Sequence, residues 1–138
     1  MLLAACATHP VAPQPGATVF LERATAMLGQ PYQYGGAAPG GFDCSGLVVY
    51  AARVAGARLP RTTEELMSLG AKVPRRRLRA GDLVFMHLAG KELHVGIALD
   101  GRRFIHAPSS GGVVRIDSLD RDPYARGYLA ARRIAFPR

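Results

Sequence analysis

Residues 41–50 read GFDCSGLVVY. Cys44 stands between Asp43 and Ser45, directly ahead of the apolar run 47–50. An inert core cysteine belongs inside such a run. This one stands at its polar leading edge, where a helix begins. Asp43 is of a residue type that caps helix N-termini. Cys44 is then the first helical residue, where orphan N–H groups and the helix dipole favour an anion and lower a thiol pKa. Behind it Leu47, Val48, Ala51, Val54 and Ala55 share one helical face, and the helix stops near Gly56.

Working outward, Phe20, Ala24, Met27 and Leu28 form a helical stripe over residues 18–28, closed by Gly29. Residues 30–41 read as a loop rich in Gly, Pro and Tyr. A short helix follows Pro60, with Thr62 and Glu65 at capping-box spacing and Leu66 and Leu69 facing inward. The arginine run 75–79, between Pro74 and Gly81, reads as a solvated loop. After it the period switches to two, over residues 83–86, 93–99, 102–107, 113–117 and 128–135. Helices first and strands second give an α+β fold, with an antiparallel sheet of about five or six strands packed on the Cys44 helix. No repeat and no second domain is evident, and the folded part is expected at residues 17–138.

The hairpin around Asp100-Gly101 sets the placement of two histidines. A two-residue turn would put His94 and His106 on opposite faces of the sheet. A three-residue loop, 99–101, pairs Ala98 with Arg102 and sets His94 directly opposite His106, with Gly101 in the left-handed conformation. Val95, Ile97, Ile105 and Ala107 then share the other face, which packs on the core. The apolar pattern therefore favours the longer loop.

Lys and Arg number 18 against 10 Asp and Glu, a formal charge of +8. A GC-rich genome that prefers arginine accounts for this balance. Attraction to an anionic polymer or surface is the alternative. No aromatic residues interleave with the arginine run for base stacking, which argues against a nucleic-acid partner. At the start, Leu3-Ala4-Ala5-Cys6 resembles the lipobox of bacterial lipoproteins, and the Pro-rich residues 7–16 suit an extended tether. Only five residues precede Cys6, so the expectation is a truncated lipoprotein signal over residues 1–16. Lipidation of Cys6, and outer-membrane sorting given Ala7, follow from that resemblance. No disulfide between Cys6 and Cys44 is expected, because pairing would silence the second thiol.

A thiol at a helix start needs an imidazole to complete its activation. The candidates are His9 in the tether, His87 at a strand end, and His94 and His106 on one hairpin. Zinc on one Cys and two or three His is the rival arrangement, but no short C-x-x-C or H-x-x-x-H pair exists.

The pattern PYQYGG, GFDCSGLV, LPRTT, LRAGDLVF, HVGIAL and FIHAPSSGGVVRI, in this order over residues 29–134, resembles the NlpC-type peptidoglycan endopeptidases. These are papain-like cysteine peptidases of the bacterial envelope. The resemblance implies a nucleophile at Cys44, a general base at His94 and an orienting histidine at His106. It places an oxyanion-hole hydroxyl at Tyr32, and peptide-stem contacts at Asp43 and Ser45. It implies no cofactor and a peptidoglycan substrate, cut at D-glutamyl-γ-diaminopimelate or D-alanyl-diaminopimelate bonds. A wall-binding lipoprotein that does not hydrolyse, and a papain-like acyltransferase or lipid hydrolase, are the competing functions.

Overall fold

The computed structural model describes residues 15–89, 92–109 and 112–137. Pro15 opens helix α1 (Pro15–Ala26), a position where a missing N–H costs nothing. The helix buries Gly16, Phe20 and Ala24, and Phe20 packs on Phe136 at 5.0 Å between ring centroids. It begins and ends earlier than the stripe predicts. Met27 and Leu28 close the last turn onto Ala24 and Thr25, and Gly29 N–H leaves the helix for the Val114 carbonyl. Leu28 is consequently exposed.

A small antiparallel ribbon, β1 (Ala37–Ala38) and β2 (Gly41–Phe42), leads into the Cys44 helix. Asp43 is extended and caps it, its Oδ1 accepting from the Gly46 N–H at 2.6 Å. Helix α2 (Cys44–Val54) buries an arc from Leu47 through Ala51 to Ala52. At 100° per residue Val54 falls at the margin of that arc, and it is exposed rather than inward. Gly46 matters to this start, because a Cβ there would overlap the Gly36 carbonyl oxygen. Helix α3 (Thr63–Leu66) carries the expected cap, with Thr62 Oγ1 accepting from the Glu65 N–H and donating to Glu65 Oε1.

Six strands follow: β3 (Ala71–Lys72), β4 (Leu83–Leu88), β5 (Glu92–Ala98), β6 (Arg103–His106), β7 (Arg115–Ser118) and β8 (Tyr128–Arg133). They form one antiparallel sheet in the order β3-β8-β4-β5-β6-β7, with the short helix α4 (Tyr124–Gly127) before β8. One face of the sheet sends Phe85, Val95, Ile97, Ile105 and Ala107 into a core shared with Leu47, Val48 and Ala51 of α2. Ile97, Ile105, Leu47 and Val48 are at most 1% exposed, each contributing about 1.5–3 kcal/mol. The other face carries a second cluster, including Val84, Met86, Ala98, Phe104 and Tyr124. The arginine run is not a plain loop. Residues Arg75–Arg77 form a 3₁₀ turn anchored by buried Leu78, with the Arg75 guanidinium over the Tyr128 ring.

The hairpin corrects one expectation and upholds its consequence. Ile97 pairs with Ile105 and Ala98 with Phe104, so the three-residue loop is 100–102 rather than 99–101. Leu99 N–H closes it onto the Arg103 carbonyl. Asp100 dictates the shift, because its Oδ1 accepts from the backbone N–H groups of Arg102 and Arg103 at 2.8 and 2.7 Å. Gly101 is not left-handed. The slip is two residues, which preserves the faces. His94 and His106 stay together, but as diagonal neighbours, with Gly96 in the place opposite His106. A Cβ on Gly96 would stand 2.6 Å from Phe104 Cδ2 and 3.2 Å from His106 Cβ.

Candidate active site

Cys44 opens α2 at a gap in the sheet. The pairing of β5 with β6 ends at Ile97 and Ile105. Two residues further along β5, the Val95 N–H lies close enough to the Cys44 sulfur to favour its thiolate. Thr63 Oγ1 lies 3.5 Å from the same sulfur. Burial pushes the thiol pKa up; Thr63 and the N–H groups of Val95 and Ser45 pull it down; the Asp43 carboxylate pushes it up again. The balance is a raised pKa, opposite to the sequence expectation. A helix terminus is worth about 0.3–1 kcal/mol at an exposed site. Burying a thiolate costs more than that, and a carboxylate immediately before it adds to the cost.

The two histidines of the hairpin are buried, His94 at 2% and His106 at 0% exposure. His94 Nε2 lies 2.7 Å from His106 Nδ1, and His106 Nε2 lies 2.7 Å from Asp117 Oδ2. Burial, aided by His106, lowers the His94 pKa to about 3. Burial also lowers His106, against the pull of Asp117. Burial alone would raise the Asp117 carboxyl, but hydrogen bonds from His106 and Arg115 hold it below its ordinary value. Among the described residues His94 Nδ1 makes no hydrogen bond. The thiol's side-chain contact is with the Thr63 hydroxyl; hydrogen bonds of catalytic groups often form only once substrate binds.

Asp43 and Ser45 are held within the chain. Arg61 donates to Asp43 Oδ1 and Oδ2 at 3.0 and 2.7 Å and to Ser45 Oγ at 2.7 Å. Gly35 and Gly46 N–H groups complete the shell of the carboxylate. Burial would raise the Asp43 carboxyl, and these contacts, Arg61 foremost, keep it lowered. Tyr32 is half-buried beside the core, its backbone N–H on the Gly112 carbonyl. Burial raises its phenol pKa, with further contributions from Cys44 and Asp43. Tyr34 is 92% exposed, and His87 faces solvent at the end of β4.

The NlpC/P60 family pattern matches residues 29–133. The chain belongs to the NlpC/P60 family. It is 38% identical over 136 residues to murein DD-endopeptidase MepH of Escherichia coli K12, covering 94% of this chain and 50% of that protein. It is 39% identical over 146 residues to the probable endopeptidase NlpC of the same organism, covering 97% and 94%. An NlpC/P60 family protein from Bacillus cereus superposes with a TM-score of 0.80 at 30% identity, covering 88% of this chain and 41% of that one. The chain therefore spans half the length of some curated relatives and nearly all of another.

Within this NlpC/P60 domain the residues expected from sequence fall into two groups. Cys44, Tyr32, Asp43 and Ser45 gather at the start of α2, and His94 and His106 at the β5–β6 gap. Cys6 and His9 lie outside the described residues. Sequence reasoning gave no site role to Asp117, Thr63 or Arg61. Asp117 meets His106 only through the pairing of β6 with β7, which leaves no local sequence signal.

Proposed function

We propose that this chain is a cysteine endopeptidase that hydrolyses amide bonds in the stem peptides or crosslinks of bacterial peptidoglycan. The observation that supports it best is a helix-start thiol packed against β5, the strand that carries His94 of a buried His94–His106 pair, in a chain similar over 94% of its length to a murein DD-endopeptidase. His94 Nδ1 would take the Cys44 proton as the sulfur attacks the scissile carbonyl. The Cys44 N–H, an orphan of the helix start, and the Tyr32 hydroxyl would hold the oxyanion, at about 3–4 kcal/mol per donor. His94 then protonates the leaving amine, and water releases the acyl-enzyme. His106 orients the His94 ring. Asp43 is closed over by Arg61, so it would meet the peptide stem through Ser45 and Arg61 rather than as a free carboxylate. The expected lipid at Cys6 would hold the enzyme at the outer membrane. A Cys6→Ser chain that still partitions fully into membrane would remove that element.

The deciding experiment incubates the protein and its Cys44→Ala variant with purified muropeptides and identifies products by mass spectrometry. Cleavage by the parent and none by the variant, with unchanged circular dichroism, is expected. An alanine variant of full activity would sink the proposal. Binding to muropeptides without cleavage by the parent would select the wall-binding alternative.

A further inference from the structure

Asp117 lies on β7, diagonal to His106, and its single oxygen Oδ2 receives three groups. His106 Nε2 and Arg115 Nε are each 2.7 Å away, and the Tyr124 hydroxyl is 3.4 Å away. Tyr124 also closes over the ring of His106, edge to face at 5.1 Å. We infer that Asp117 is a positioning residue that fixes the proton pattern of both histidine rings and so leaves His94 Nδ1 as the unprotonated nitrogen, the one proposed above to take the Cys44 proton. The inference rests on the Cys44–His94 chemistry proposed above.

The argument is one of donors and acceptors. An ionised carboxylate only accepts, so His106 Nε2 must carry the proton between them. A neutral His106 then has a lone pair at Nδ1, and at 2.7 Å His94 Nε2 must donate to it. A neutral His94 with its proton at Nε2 has its lone pair at Nδ1, the nitrogen to which no other group hydrogen-bonds among the described residues. The opposite pattern reverses every step. It puts a proton on His94 Nδ1 and removes the proposed acceptor of the thiol proton. Asp117 is the acceptor that excludes the reversed pattern, because its neighbours Arg115 and Tyr124 are both donors to it. Without the carboxylate those donors would turn to His106 Nε2 and favour the reversal. Once His94 has taken the thiol proton, the chain through His106 to the carboxylate also favours the imidazolium, as a buried aspartate does behind other catalytic histidines.

The test is nitrogen-15 NMR of the histidine rings in the full chain, its Cys44→Ala variant, Asp117→Asn and Asp117→Leu, with steady-state kinetics on muropeptides. The parent should show both rings neutral and protonated at Nε2. Asp117→Asn can place its amide oxygen where Oδ2 was, so the pattern and most of the turnover should persist. Asp117→Leu should move the proton of both rings to Nδ1 and lower kcat by about tenfold or more at unchanged KM. A parent spectrum with His94 protonated at Nδ1 overturns the inference whatever the variants do. So does an Asp117→Leu protein that keeps both the pattern and kcat. The Cys44→Ala spectrum separates the two claims: the ring pattern stands or falls there without any activity, whereas the nucleophile assignment fails only if that variant still cleaves.

Discussion

Lowering pH should destabilise this protein through His94 well before its carboxylates titrate. In the folded chain the His94 pKa is about 3, against an ordinary value of 6.5. Between those values the unfolded chain binds a proton that the folded chain refuses, so stability falls as pH falls. Each unit costs about 1.4 kcal/mol. At pH 5.0, one and a half units below the ordinary value, His94 alone removes about 2 kcal/mol relative to pH 7.5. His106 is lowered as well and acts in the same direction. Asp43 and Asp117 are lowered carboxylates, whose contribution is lost only as pH falls below the ordinary carboxylate range. The window from 7.5 to 5.0 therefore reports the histidines. His94→Gln keeps a donor for His106 Nδ1 and abolishes the titration. Urea unfolding followed by circular dichroism at both pH values, with slopes held equal, gives the comparison. The parent should lose about 2 kcal/mol more than His94→Gln across the window. Parallel losses would mean that His94 titrates in the folded state like an exposed histidine, and the buried neutral base would have to be abandoned.

Gly96→Ala should lower stability by about 1–3 kcal/mol, because its Cβ meets Phe104 and the Ile105 carbonyl oxygen as well as His106. Turnover should fall further than the melting temperature explains, as the two rings are pushed apart; a variant with normal kcat would show that their contact is dispensable. Thr63→Val preserves shape but removes the hydroxyl 3.5 Å from the Cys44 sulfur. Its thiol pKa, read from iodoacetamide alkylation rate against pH, should shift upward with little change in thermal stability, and an unshifted profile would deny Thr63 any hold on the thiolate.

The start of α2 was legible in the sequence because capping is local. Asp43 bonds an N–H three residues away, so the motif carries its own geometry. The faces of the hairpin were legible for a related reason. Loops at 99–101 and 100–102 differ by two residues in register, so both give Val95, Ile97 and Ile105 to the core. For that same reason the apolar pattern is blind to the choice between them. It was made by two side-chain bonds from Asp100, which compete with backbone pairing that sequence reasoning ranked first. Asp117 and Arg61 were out of reach on different grounds. Asp117 finds His106 across a strand pairing, and Arg61 finds Asp43 over 18 intervening positions. Neither partnership has a periodic signature. The thiol pKa was misjudged because the helix start is visible in sequence and its burial is not.

Burial acts in opposite directions on the two partners of the proposed reaction. It raises the Cys44 thiol and lowers the His94 imidazole, so at neutral pH the resting site holds a thiol and a neutral base rather than an ion pair. Creating the pair then requires groups already aimed at both charges. On the sulfur side these are the Thr63 hydroxyl and the Val95 N–H. On the imidazole side they are His106 and, behind it, Asp117. The Val95 N–H lies beyond the point where β6 parts from β5, and the ring contact forms only because residue 96 is glycine. The termination of one strand pairing and the absence of one Cβ thus place stabilising groups at the two ends of a single proton transfer. In this arrangement the sheet, and not the helix dipole alone, determines how readily Cys44 becomes a thiolate.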